Sequence, residues 1–252
     1  MKIVFLEKGS LGNDLDLSYF SELGHVTFYE LTKPEEVPER IRDADVIIVN
    51  KIPMNEATLS GASHLKLVAL TATGMNNIDF DYTNSHGIQV KNVAGYSTNA
   101  VAQHTFALLF YVLHRLAYYD NYVKSGAYCT NPGFSHFDEK FSELDGKTWG
   151  IVGMGAIGQR VASIAEAFGC HVIYYSTSGR NTDQPYERVD FEELLKRSDV
   201  ISLHAPLNPD TEGIMNREAF RKMKKSAFLV NVARGGLVVE QDLADALKEG
   251  EI

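Results

Sequence analysis

The sequence predicts an α/β protein made of two doubly wound parallel-sheet domains. Short apolar runs alternate with helix-compatible stretches through both halves, the rhythm of parallel strands joined by crossover helices. The alternation pauses once, at a long apolar helix followed by a segment rich in glycine and proline turns. A glycine turn, Gly153-Met-Gly155-Ala-Ile-Gly158, then lies between an apolar run and a helical one.

In the first half, strands are expected over 3–6, 26–29, 46–49, 67–71 and 88–91, with helices over 15–23, 35–44, 56–62 and 80–85. A helix over 98–119 follows, with Ser97 or Thr98 as its N-cap. Its apolar residues occupy nearly every face, so it should be buried at a domain junction and against a second subunit. Residues 125–146 read as irregular connection. Strands over 148–152, 171–175, 199–203 and 227–232 then alternate with helices over 156–168, 190–197, 216–224 and 241–249. The expected domains are 1–97 and 98–252.

Composition narrows the function classes. The 252 residues are 44% hydrophobic and 23% charged, with net charge −9, which disfavours nucleic acid and anionic membrane surfaces as partners. The basic run Arg217, Arg221, Lys222, Lys224 and Lys225 reads as a solvated helix end. Cys129 and Cys170 form no CxxC and no cluster with histidine, which speaks against a disulfide framework or a zinc site. The longest apolar run, 106–113, is too short to span a bilayer. With no leader ahead of the first strand, a cytoplasmic location is expected.

Open α/β sheets bind ligands at the carboxyl ends of their strands. There, Gly153, Gly155 and Gly158 let the backbone approach a dinucleotide pyrophosphate, which meets the N-terminus of the next helix. The next strand end reads Ser176-Thr-Ser-Gly-Arg180, with no carboxylate before Asp183. Ser176, Thr177, Ser178 and Arg180 suit a ribose 2′-phosphate, which favours NADP, although a polar loop tolerant of either cofactor fits as well. Arg234 leaves a buried strand into a double glycine. Its fork matches a carboxylate or a carboxylate-plus-keto pair, and a salt bridge to a surface acid is the other reading. His204 is a general acid or, more ordinarily, a cap or second-layer hydrogen bonder. The turn at Thr73-Gly74 can point successive N–H groups at an anion, and Tyr96 either lines a cleft or packs at the junction.

The stretches Thr73-Gly-Met-Asn-Asn-Ile-Asp79, Asn92-Val-Ala-Gly-Tyr-Ser97 with Val101-Ala-Gln103, Gly150–Gly158, His204-Ala-Pro-Leu207 and Asn231-Val-Ala-Arg-Gly-Gly236 occur in one order along the chain. Together they resemble the D-isomer-specific 2-hydroxyacid dehydrogenases, most of all the hydroxypyruvate reductase or glycerate dehydrogenase branch. The resemblance implies a flavodoxin-like substrate domain, a Rossmann cofactor domain, and hydride exchange between NAD(P)H and a small 2-keto acid such as hydroxypyruvate or glyoxylate. It implies that Thr73 and Gly74 hold the substrate carboxylate, that Tyr96 neighbours the substrate, and that Arg234 polarises the keto oxygen. It places Ala156 and Ile157 under the pyrophosphate and Ser176 and Thr177 at the adenosine ribose. Ser97, Ala205, Pro206, Thr211, Val232 and Ala233 would line the remaining cofactor, and the 98–119 helix would build a homodimer. The family's general-acid histidine and its glutamate lie well beyond the arginine. The sequence ends at Ile252 before either occurs, so the expectation is a C-terminally incomplete dehydrogenase. Two other readings remain open: a non-catalytic NAD(H)-sensing corepressor, and an inactive truncated fragment.

Overall fold

The computed structural model describes all residues 1–252 and resolves the chain into two compact units, Met1–Tyr96 and Ser97–Ile252. In the first unit, strands β1 (Lys2–Phe5), β2 (His25–Phe28), β3 (Val46–Val49), β4 (Leu67–Leu70) and β5 (Gln89–Lys91) form one sheet of order β2-β1-β3-β4-β5. Every pairing is parallel, and the order 2-1-3-4-5 is the flavodoxin-like one. Helices α1 (Val37–Arg40), α2 (Glu56–Leu59) and α3 (Phe80–Ser85) complete the unit. One core packs Val4, Ile47, Val49, Val68 and Leu70 of the sheet against Val37, Ile41 and Leu59. The other sheet face, Ile3, Phe5 and Ile48, meets Leu11, Leu17 and Phe20.

Two helices expected here are much reduced. Residues 15–23 hold only a 3₁₀ turn, Ser18–Glu22. Residues 35–44 split into a 3₁₀ turn, Pro34–Glu36, and the four residues of α1. Pro38 lies in the first turn of α1 and has no N–H to give, so a helix begun at residue 35 cannot run through it.

The second unit begins with α4 (Thr98–Leu113), α5 (Leu116–Lys124) and α6 (Ala127–Thr130). The single helix expected over 98–119 is therefore two. Arg115 takes a left-handed conformation, φ 53°, which ends one hydrogen-bond ladder and starts another. No glycine or proline marks the break. Ser97 holds the N-cap position of α4 but makes no side-chain cap bond. Burial is one-sided as well. Ala102, Phe106, Leu109 and Leu113 are in the core, whereas Leu108, Tyr111 and Val112 are exposed in this chain.

Strands β6 (Thr148–Val152), β7 (His171–Tyr175), β8 (Glu187–Arg188), β9 (Val200–Leu203) and β10 (Phe228–Asn231) form a second all-parallel sheet, in the order β10-β9-β6-β7-β8. Numbered within the unit and read from the β8 edge this is 3-2-1-4-5, the order of a dinucleotide-binding sheet. Helices α7 (Ala156–Ala167), α8 (Phe191–Arg197), α9 (Arg217–Lys222) and α10 (Glu240–Glu249) lie close to their expected spans. The short edge strand β8 is not legible as a strand, because two polar residues carry no apolar run.

Packing explains two residues at the centre of this sheet. Trp149 is fully buried against Phe106 of α4, with ring centroids 4.7 Å apart, and its Nε1 donates to Ser202 Oγ at 2.8 Å. Gly150 must lack a side chain, since a Cβ there would strike Leu194 of α8 at 2.9 Å. The basic run lies at the surface as expected, and four of its members also form ion pairs there: Arg217 with Asp245, Arg221 with Glu251, Lys222 with Glu192 and Lys224 with Asp199.

Candidate active site

In the second unit, the sheet order reverses direction at β6, which has β7 on one side and β9 on the other. Open sheets offer a crevice at such a switch point, and here it is built by the loops after β6 and β9. Gly153 has φ 95°, and a Cβ on it would stand 2.7 Å from the Ala205 nitrogen. Only glycine allows the β6 turn to lie this close to the β9 loop. Gly158 packs α7 onto the same turn, where a Cβ would overlap the Gly153 carbonyl oxygen. Gly155 is different: its backbone is extended (φ −78°, ψ −168°) and a Cβ would meet nothing within 4 Å.

Two glycines thus make the turn, and the third leaves open space beside the helix start. No side chain caps α7, and Gly155 and Ala156 are exposed. The amides of Ala156 and Ile157 accordingly face outward with the positive end of the helix dipole. These features fit a dinucleotide pyrophosphate.

At the end of β7, Ser176 is buried and its hydroxyl donates to the Arg180 carbonyl at 2.5 Å. Tyr174 Oη reaches the carbonyls of Asn181 and Thr182, both at 3.3 Å. The loop is stitched from within by these two hydroxyls. Ser178 and Arg180 are left exposed, Thr177 partly so, and the Arg180 guanidinium forms no ion pair.

At the end of β9, the His204 ring is largely enclosed. Burial pushes its imidazole down to about 4, so it is neutral at ordinary pH. Nε2 shares a hydrogen bond of 3.0 Å with Ser202 Oγ, the atom that also accepts from Trp149, while buried Nδ1 has no partner. Of the readings open for His204, the second-layer hydrogen bonder agrees with this geometry. Ala205 is buried and Pro206 exposed. Thr211 is fully buried, its hydroxyl donating to Pro206 O at 2.6 Å, so it shapes this loop from inside.

After β10, Val232 and Ala233 border a groove of about 470 Å³ whose other wall is Ala100, Val101, His104 and Leu108 of α4. Arg234 is exposed and pairs with no acid, and its guanidinium makes one bond, from Nη1 to the Ala233 carbonyl at 2.9 Å. The salt-bridge reading therefore falls away. Asn231, given no role from the sequence, holds this turn: its Nδ2 donates to Arg234 O at 2.9 Å and its Oδ1 accepts from Ala233 N at 3.0 Å. An asparagine directly before a strand-end turn is a recognisable signal for such a clamp.

In the first unit, the loop after β4 carries Thr73 and Gly74. Thr73 Oγ1 donates to Val93 O at 3.1 Å, and Asn92 Nδ2 donates to Thr73 O at 2.7 Å. The loop is thereby tied to the end of β5, while the amides of Thr73 and Gly74 have no acceptor within the protein. Asn92 is a second residue whose role the sequence did not announce. Tyr96 is exposed at the rim of an apolar cavity of about 300 Å³ that also takes in Phe5, Leu17, Ile48 and Thr71. No group of three or more His, Cys, Asp or Glu side chains is placed to hold a metal, and no helix is long and apolar enough to cross a membrane.

Comparison with known proteins agrees with this architecture. Residues 106–252 match the family model described as D-isomer specific 2-hydroxyacid dehydrogenase, NAD binding domain. The chain is 40% identical over its full length to a hydroxypyruvate reductase of Blautia hydrogenotrophica, covering 80% of that protein. It is 39% identical, again over its full length, to a glycerate dehydrogenase of Methylorubrum extorquens, covering 78% of it. Among solved structures it is similar to an acyclic imino acid reductase in complex with NADPH and D-Arg, with TM-score 0.89 and 35% identity over all of this chain and 80% of the other. The chain belongs to the D-isomer-specific 2-hydroxyacid dehydrogenase family, a class of oxidoreductases that use a nicotinamide cofactor.

Proposed function

We propose that this protein exchanges a hydride between NAD(P)H and a small 2-keto or D-2-hydroxy acid of the hydroxypyruvate, glycerate and glyoxylate type. The observation that carries this is Arg234, an exposed guanidinium without an acidic partner, held on a clamped turn in the sheet that bears the Gly153–Gly158 cradle. A bound nicotinamide supplies or takes up the hydride. The chain's own residues bind and polarise. In the second unit, the α7 N-terminus takes the pyrophosphate, Val232 and Ala233 line the cofactor, and Ser97 reaches it from the start of α4. The Arg234 fork takes a carboxylate and a keto oxygen, drawing electron density from the carbonyl carbon as hydride arrives. In the first unit, the amides of Thr73 and Gly74 take a carboxylate, and Tyr96 bears on substrate choice.

Proton delivery needs a separate group. Arg234 does not release protons, and His204 is neutral, enclosed and bonded to Ser202. The reading assigns that proton to neither residue. NADP is preferred over NAD in this proposal, because Thr177, Ser178 and Arg180 are turned outward with no carboxylate among them. The exposed side of α4, with Leu108, Tyr111 and Val112, serves a homodimer.

Arg234→Ala tests the central claim. Oxamate, an unreactive isostere of a 2-keto acid, should bind the NADPH-loaded variant at least about 100-fold more weakly, the loss expected for one charged bidentate contact. NADPH affinity should stay within about twofold. Equal oxamate affinity in variant and parent would refute the assignment.

A further inference from the structure

The turn after β3 contains a carboxylate that the proposed reaction does not use. Glu7, two residues beyond β1, aims Oε2 at three successive backbone N–H groups: Asn50 at 2.7 Å, Lys51 at 2.8 Å and Ile52 at 3.3 Å. Successive amides that converge in this way form a nest for an anion. Here the protein fills the nest with its own side chain, and the charge-assisted bonds fix the course of residues 50–52.

That segment is in turn bonded to the loop after β4. Asn77 Nδ2 donates to Ile52 O at 2.8 Å. Met54 N donates to Asn77 O at 2.7 Å, and Asp79 N donates to Met54 O at 2.9 Å, closing an isolated parallel bridge between Met54 and Ile78. Met54 is fully buried and Ile52 and Ile78 nearly so, so the strap is anchored in the core as well as by its bonds. The far side of the same loop is tied by Asn92 and Thr73. Between these two anchorages lie Thr73 and Gly74, whose N–H groups donate to nothing in the protein.

We propose that Glu7 is a positioning residue for substrate: through the 50–54 strap it holds the 73–77 loop in the shape that presents the Thr73 and Gly74 amides to the substrate carboxylate. This rests on the function proposed above, and it adds a residue two strands away that touches no ligand. Order in a loop of this kind has to be imposed from outside. Gly74 has no Cβ to restrict its backbone, and residues 73–77 lie outside every strand and helix. A loop left to fluctuate would bind the same carboxylate more weakly, because binding would then have to order it.

Glu7→Gln keeps the shape of the side chain, removes its charge and turns an N–H group towards donors. Two measurements read the result. Hydrogen exchange should speed up at least about tenfold at the amides of Asn50, Lys51 and Ile52, and also at Met54 and Asp79, with the amides of β1 unchanged. Oxamate affinity in the NADPH-loaded protein should fall about tenfold while NADPH affinity holds. Glu30→Gln, which removes the surface partner of Lys8 in the same unit, should change neither. Exchange that quickens at 50–52 alone, or an oxamate affinity equal to that of Glu30→Gln, would overturn the positioning role. Failure of the parent protein to bind oxamate at all would instead overturn the proposed function, and the exchange at Met54 and Asp79 would still decide whether Glu7 organises the loop.

Discussion

The same methyl group added at Gly153 and at Gly155 should have opposite consequences. At Gly153 the alanine side chain meets two obstacles. A φ of 95° is left-handed territory, costing about 1–2 kcal/mol for a residue with a Cβ. The Cβ would also lie 2.7 Å from Ala205 N and 2.8 Å from its Cα, backbone atoms that cannot swing aside. Overpacking of that kind costs about 1–3 kcal/mol, so Gly153→Ala should destabilise the second unit by about 2–5 kcal/mol. For a unit of this size that lowers Tm by about 4–20 °C. At Gly155 the backbone suits any residue and the Cβ enters open space, so stability should change by no more than about 1 kcal/mol. What Gly155→Ala should lose is the close approach of pyrophosphate, weakening NADPH and NADH alike by tenfold or more, about 1.4 kcal/mol. Trp149, the chain's single tryptophan, lies at the centre of this sheet, so its fluorescence in urea reports the unfolding of this unit directly. Nicotinamide fluorescence reports binding. A Gly155→Ala protein that binds both cofactors like the parent would show that the open space is not where phosphate sits, and the cradle assignment would fail.

Further outcomes follow from the same geometry. Arg180→Ala should weaken NADPH about tenfold and leave NADH unchanged, since its guanidinium is exposed and unpaired; equal losses for the two cofactors, by fluorescence titration, would remove the case for NADP. His204 predicts a pH dependence. Its folded value of about 4 lies below the ordinary 6.5, so the unfolded chain takes up a proton that the folded one refuses. Stability is therefore full above pH 6.5 and declines as pH falls towards 4, by about 2 kcal/mol between pH 7.5 and pH 5. Urea unfolding at the two pH values should show this drop in the parent and lack it in His204→Gln, and identical slopes would refute the burial argument.

Much of the proposed site was legible because its chemistry is written in residue types at fixed spacing. The three glycines, the absence of a carboxylate between β7 and Asp183, and the arginine before a double glycine are properties of the sequence itself. They needed only the knowledge that strand ends carry ligands. The parallel α/β class was legible for a similar reason: strands buried on both faces must be continuous apolar runs, and the central strands β1, β3, β4, β6, β7 and β9 are such runs or nearly so. The edge strand β8 has no apolar residue, and its pairing with β7 is a matter of backbone bonds that leave no mark on side-chain pattern.

Other features depend on neighbours that are distant in sequence. The break at Arg115 involves no breaker residue, and the one-sided burial of α4 follows from where Trp149 and Phe168 press against it. Whether Arg234 had an acidic partner, whether His204 was charged, and what Asn231, Asn92 and Glu7 hold in place were all settled by contacts across the fold. The physical division is plain. Local chemistry and hydrophobic period depend on residues a few positions apart, which a sequence displays. Desolvation, unpaired charge and a carboxylate filling a nest more than forty residues away depend on which atoms lie within a few ångströms, and only the folded chain determines that.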